Sequence, residues 1–150
     1  MRKFLVAALA LGLAGAVAGC GENSTFTREY NAWGVGSFPV ANDGQAALYI
    51  VRDAGPANET PIEITIGRQS LVNIVAPNYV RLDLDPKLYD LRAYGPSKNK
   101  ELVVTVAPGQ TRFLLAQLTP DGGAELLELS QEQGRRLARR GQRLYTPTID

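Results

Sequence analysis

The chain reads as a mainly β protein, a small antiparallel β-sandwich of about seven strands with a short C-terminal helix. Three observations predict this. From residue 46 onward, short apolar runs show period-two alternation with polar residues. Turn chemistry rich in Gly, Pro, Asp and Asn interrupts those runs every 8 to 12 residues or so. Finally, a helix-start signal stands at Ser130-Gln131-Glu132-Gln133, after the last apolar run. The 150 residues suffice for one small core and a tether, and exclude two full-sized cores.

The first segment, residues 47–52, is dense in β-formers (Leu48, Tyr49, Ile50, Val51) and predicts a well-buried strand. Asp53 to Asn58 breaks it with Gly55-Pro56 and Asn58. Ile62, Ile64 and Ile66 alternate with Glu63 and Thr65, giving one dry and one wet face, and Gly67-Arg68-Gln69 turns the chain into residues 71–75. The next pair of strands is 79–84 and 88–94, joined through Asp85-Pro86-Lys87, where Pro86 fixes φ and cannot donate to a ladder. After a polar loop at 96–100, residues 101–106 and 111–118 flank Ala107-Pro108-Gly109-Gln110, the sequence of a type II turn, and are expected to form a hairpin. Residues 124–129 make a last strand behind Pro120-Asp121-Gly122-Gly123. The capping box then opens a helix to about residue 140, weakened in its middle by Gly134 at about 1 kcal/mol. The tail from Gly141 is expected to be loose, or docked by Leu144 and Tyr145.

Ahead of this body lies a different kind of sequence. Arg2 and Lys3 precede an apolar run from Phe4 to Ala18, the order of charges and apolar residues found in an export signal. As a helix that run is about 22 Å long, short of the roughly 30 Å of hydrocarbon a permanent span must cross. The run ends Val17-Ala18-Gly19-Cys20, which resembles the lipobox of bacterial lipoproteins, a short apolar and small-residue stretch before the modified cysteine. The resemblance implies cleavage after Gly19, a diacylglyceryl thioether on Cys20, and an N-acyl chain such as palmitate. Several acyl chains on one residue hold a protein at a bilayer essentially permanently, where one alone is marginal. Gly21, rather than Asp, follows the cysteine; in enteric bacteria that implies the outer membrane, facing the periplasm. A competing site is Ala16-Val17-Ala18, an A-x-A sequence whose cleavage would release a soluble chain with an unpaired thiol in an oxidising compartment.

The expected organisation is therefore a signal peptide at 1–19, a lipidated N-terminus and spacer at 20–44, and a sandwich with helix and tail at 45–150. Within the spacer, Trp33 and Phe38 suit a short strand folded back over a sheet edge, or a contact with the lipid interface. The domain resembles bacterial lipoprotein β-domains of unknown function related to PEGA and transthyretin-like sandwiches. That likeness rests on Leu48-Tyr49-Ile50-Val51-Arg52, on Leu84 to Leu91, and on Leu102 to Phe113 with its Pro108-Gly109 turn. Lys87 stands where that family has the Gly of its middle turn, and the family offers no catalytic residues to carry over.

Composition narrows the chemistry. Sixteen basic and 15 acidic residues are nearly balanced, which gives no drive toward nucleic acid or toward a bulk anionic surface. A single Cys and no His exclude disulfide frameworks, ordinary zinc sites and His-based catalysis, so no catalytic, metal or cofactor residues are assigned beyond the covalent lipid. Asp83 and Asp85, at i and i+2 on a strand with Leu82 and Leu84 facing the core, are the best carboxylate pair for glycoside hydrolysis or a hard cation. Their ordinary reading is a solvated strand face. Ser97-Lys98-Asn99-Lys100 matches S-x-x-K, but lies beside Pro96 in a loop and lacks the companion motifs. Gly34-Val35-Gly36 begins like a dinucleotide loop and ends in Pro39. The sequons at Asn23 and Asn58 read as chance beside a lipobox. Leu126, Leu127, Leu129 and Leu137 read as core. Arg135, Arg136, Arg139, Arg140 and Arg143 form the densest run of like charge, suited to anionic headgroups or an acidic partner, or to a solvated helix face.

The function expected from these features is that of a lipid-anchored, non-enzymatic accessory or interaction module of the cell envelope. Its contacts are the membrane through Cys20 and an envelope protein, not nucleic acid. The alternatives are a periplasmic sandwich that binds a small ligand or glycan through its loops, and a carboxylate-dependent hydrolase centred on Asp83 and Asp85.

Overall fold

A computed structural model describes residues 40–55 and 59–149. The strands are β1 (Ala46–Val51), β2 (Ile62–Ile66), β3 (Gln69–Ile74), β4 (Asn78–Leu84), β5 (Leu88–Tyr94), β6 (Asn99–Thr105), β7 (Thr111–Leu118), β8 (Ala124–Leu129) and β9 (Gln142–Leu144), with one helix, α1 (Gln131–Ala138), between the last two. They form two facing sheets, β8-β7-β1-β4-β9 and β3-β2-β5-β6. The molecule is thus a mainly β sandwich with a short C-terminal helix, as the alternation predicts.

Period two explains the layers. Ala46, Leu48 and Ile50 of β1, Val80, Leu82 and Leu84 of β4, and Leu114 and Ala116 of β7 point inward against Ile62, Ile64, Leu91 and Val104 of the other sheet. Each full burial of such a Leu or Ile contributes about 1.5–3 kcal/mol. The central strand β1 is buried at all six positions, because its other face, Ala47, Tyr49 and Val51, lies under a second layer. Tyr49 stacks on Phe113 of β7 with centroids 4.9 Å apart, Tyr79 of β4 sits 6.1 Å from it, and α1 packs on Phe113. A strand covered on both sides reads as a continuous apolar run rather than an alternation.

The pairing of strands departs from the sequence expectation in an instructive way. The turn at Ala107 to Gln110 is present: Gln110 N donates to the Ala107 carbonyl at 3.1 Å, and Gly109 has φ of 72°. It does not close a hairpin. β6 lies in one sheet and β7 in the other, where β7 runs parallel to β1 in the register Tyr49 to Phe113. The reason is handedness: tight hairpins favour the mirror-image turn types, whose twist matches the strands, whereas a type II turn splays them. Here the splayed turn becomes an arch between sheets. It is held by Gly109 N donating to Gln45 O and Ala47 N donating to Gln110 O, both at 2.8 Å. Likewise β4 and β5 are strands but not partners, and Asp85-Pro86-Lys87 carries the chain across from one sheet to the other.

The true hairpins are β2–β3, β5–β6 and β7–β8. A parallel bridge between Lys98 and Gly123 ties the two sheets together along one edge. The tail is docked: β9 adds a parallel strand beside β4 and Leu144 packs against the core, while Tyr145 stays 78% exposed. With β1–β7 and β4–β9 parallel, the first sheet is mixed rather than purely antiparallel.

The helix forms where its cap signal stands. Ser130 accepts from Gln133 N, and the Gln133 side chain reaches back to the cap backbone. It ends at Ala138, two residues short of the expected limit. Gly134 is more than a weak point in it. A Cβ there would lie 2.1 Å from Phe113 Cγ, so the glycine permits the close approach of helix to sheet.

Candidate functional site

The five predicted arginines all fall on one side of the sandwich, the outer face of the five-stranded sheet. At 100° per residue, Gly134 and Ala138, the buried residues of α1, share a stripe facing Phe113, and Arg136 and Arg140 fall on the exposed side. Arg135 is partly buried and Arg139, the C-cap, is exposed. Together with Gln131 and Glu132, the four helix arginines line an open surface. Glu132 suits the first turn and the arginines suit the end of the helix, matching the macrodipole. Arg143 on β9 stands opposite Tyr79 of β4, extending the same face.

A sixth arginine belongs to this face and escapes sequence reading. Arg81 lies opposite Tyr49 in the β1–β4 register, with its guanidinium 5.7 Å from the ring centroid. Its side chain is only 9% exposed and grips Asp83 through Nε at 3.1 Å and Nη2 at 2.7 Å. It also donates to the Tyr49 hydroxyl at 3.3 Å and, through Nη2, to the Val40 carbonyl at 3.0 Å. Burial raises the Tyr49 hydroxyl above the usual tyrosine range, with Arg81 acting in the opposite direction. The signal was available: Tyr79, Arg81 and Asp83 alternate with Val80, Leu82 and Leu84, so they share the face opposite the core.

Leu82 and Leu84 face the core as expected. Asp83 and Asp85 line one small cleft with Gln45, Leu84, Lys87, Tyr89 and Ile149. The two carboxylates are held differently. Asp83 is clamped by Arg81, while Asp85 takes a long 3.4 Å contact from Gln45 Nε2 and lends its carbonyl to the Tyr89 hydroxyl. The cleft measures about 60 Å³, room for a few waters, against about 300–1,000 Å³ for typical small-molecule pockets.

Ser97 and Lys100 sit at a turn and on β6, not on one helix turn as S-x-x-K chemistry needs. Lys98 instead pairs with Asp121 at 2.7 Å, and Lys100 with Glu125 at 2.5 Å, along the edge where β6 meets β8. Arg52, the arginine that closes the opening strand, is buried and donates to the Ile74 carbonyl at 2.9 Å, joining one sheet to the other. Of the leucines read as core, Leu126 is buried, Leu129 and Leu137 are partly so, and Leu127 is 41% exposed. Val17, Ala18, Gly19 and Cys20, together with Asn23, Trp33, Gly34, Phe38 and Asn58, lie outside the described residues.

Among the described residues no three Cys, Asp or Glu side chains are grouped to hold a metal ion, and no helix is long and apolar enough to cross a membrane. No family model and no curated protein matches the sequence.

Proposed function

We propose that this chain is a membrane-anchored lipoprotein whose β-sandwich serves as a non-enzymatic accessory or interaction module of the cell envelope. The observation that carries the reading is Val17-Ala18-Gly19-Cys20, a lone cysteine placed directly behind a charged and then apolar leader. The anchor fixes the location, on the periplasmic side of an outer membrane if Gly21 acts as it does in enteric bacteria. Three further observations support a module that works through its surface. Arg81 occupies Asp83, which disfavours the free carboxylate pair a glycosidase uses, and the cleft at that pair is too small for a sugar ring. The arginine-bearing face, by contrast, is broad and open.

The test is metabolic labelling with radioactive palmitate in bacteria expressing the full chain and its Cys20→Ala variant. Label in the parent and none in the variant is expected; label in both removes the anchor from residue 20. Replacing Asp83 and Asp85 together by Asn and following cell-wall turnover decides the hydrolase alternative, with an unchanged rate expected.

A further inference from the structure

We infer that the tail from Tyr145 to Ile149 is a removable strap, and that the edge of β4 beside it takes an added strand: an extended, proline-free segment of another polypeptide with alternating apolar side chains. The inference rests on the reading of this domain as an interaction module and gives that module a site and a partner of stated chemistry.

The tail lies between an edge of each sheet. β9 is the outer strand of the five-stranded sheet, and β3 is an outer strand of the four-stranded one. β9 pairs with β4 only from Asn78 to Val80, in a parallel register that sets Leu144 beside Val80, while β4 itself runs on to Leu84. Beyond Leu144 the chain keeps to the same course. Five residues at about 3.3 Å each carry it to Ile149, as five carry β4 from Val80 to Asp85, and Ile149 lines one cleft with Asp83, Leu84 and Asp85. From the other sheet Gln69, the first residue of β3, donates to the Thr148 carbonyl at 2.7 Å.

The tail follows β4 without laddering to it. Continued in register, residues 146 and 148 would join Leu144 on the side of Val80, Leu82 and Leu84, which face the core. Thr146 is polar, however, and Thr148 is exposed; the next apolar residue comes one place late, at Ile149, which packs against the core. Pro147 stands at the slip, and it has no N–H to give a ladder. Among the described residues, the hydrogen bond that ties 145–149 to the body of the sandwich is the one from Gln69. Proline at a sheet edge blunts it against chance pairing, so the tail is a guard that a better strand displaces. A segment with an apolar residue at every second position and an N–H at each would fill the places of Leu144, Thr146 and Thr148. It would also pair with Arg81 to Leu84 and gain the main-chain bonds that the tail forgoes. In strand addition those bonds supply the affinity, and the alternate side chains supply the specificity.

The experiment uses the purified full chain and a fluorescein-labelled peptide of residues 142–148 that carries Thr146→Val, Pro147→Thr and Thr148→Val. Fluorescence anisotropy should show this peptide binding about tenfold or more tighter than the unaltered 142–148 peptide, the gain expected from about two added main-chain bonds. Binding should tighten further in Ile149→Ser and in Gln69→Ala, each of which frees the strap at a different contact, so that a folding defect in one leaves the other to decide. On addition of the peptide, amide exchange should quicken at Thr148 and Ile149 and slow within Arg81 to Leu84. No binding to any of the three chains, equal affinity for the two peptides, or binding that leaves exchange at residues 145–149 unchanged overturns the inference and leaves the tail a fixed edge guard. Tails exchanged between two copies, seen as protection of β4 that grows with protein concentration when no peptide is present, overturn the separate partner. The palmitate label and the cell-wall assay judge the proposed function by themselves, and a negative result in either alters none of these readouts.

Discussion

Replacing Gly134 by Ala sets two effects of opposite sign against each other. Helix propensity alone favours the alanine by about 1 kcal/mol. Packing opposes it, because the new Cβ would sit 2.1 Å from Phe113 Cγ, 2.3 Å from its Cβ and 2.4 Å from Cδ1, where carbon atoms prefer about 3.5–4.0 Å. Phe113 has no room to yield, being fully buried and stacked on Tyr49. The overlap includes the Phe113 Cβ, so a rotamer change cannot relieve it and the helix must lift from the sheet. Overpacking of this kind costs about 1–3 kcal/mol, and an overlap this deep belongs at the upper end, leaving a net loss of about 1–2 kcal/mol. For a domain of this size that is a fall in Tm of about 3–5 °C per kcal/mol. Thermal and urea unfolding of the mature chain measure it. Gly55→Ala is the matched control: nothing lies within 4 Å of its Cβ position, so it should be neutral or slightly stabilising. A Gly134→Ala variant as stable as the parent, or more so, would refute the placement of α1 on Phe113.

Ser130→Ala removes the acceptor of the capping box and should cost about 1 kcal/mol in urea unfolding, with Ser130→Asp restoring most of it. Arg81→Met leaves the Asp83 carboxylate without its buried partner and should destabilise by about 2 kcal/mol or more, whereas Arg81→Met with Asp83→Asn should recover part of that loss; equal effects would deny the pairing. Asp121 is held well below the usual carboxylate range by Lys98 and Thr119, and Glu125 below it by Lys100 and Gln117. Because the folded state lowers both, their contribution is complete above the ordinary carboxylate pKa of about 4 and is lost as pH falls from there. Stability should therefore drop with acid below about pH 4, less steeply in a Lys98→Met, Lys100→Met variant, and an unaltered slope would separate these pairs from the acid response. Gly109→Ala forces a side chain into a backbone with φ of 72° and should loosen the arch that starts the β1–β7 pairing, seen as faster amide exchange at Ala47.

Strand positions were legible because one-sided burial writes period two into residues such as Ile62, Ile64 and Ile66, and because Gly and Pro mark the ends. The helix was legible because its cap is local, with Ser130 and Gln133 three residues apart. Strand partners were legible only where a tight turn joins neighbours, as at Gly67 between β2 and β3. Choosing β1 for β7 depends on contacts between residues 47–51 and 111–115, which no local pattern records, and the Pro108-Gly109 turn points to its nearest neighbours instead. β9 was missed because three residues carry too little alternation, and a parallel partner 64 residues away leaves no turn beside it. The arginine cluster was plain in the sequence, but its placement on the same face as Arg81 was not. The role of Arg81 appears only once β4 lies beside β1.

The central claim is a lipid on Cys20, and the intact mass of the mature chain from bacterial membranes addresses it most directly. The account predicts a chain that has lost residues 1–19 and carries the added mass of diacylglyceryl and acyl groups, located on the N-terminal peptide beginning at Cys20. A mature chain that begins at Gly19 and bears an unmodified thiol would contradict it.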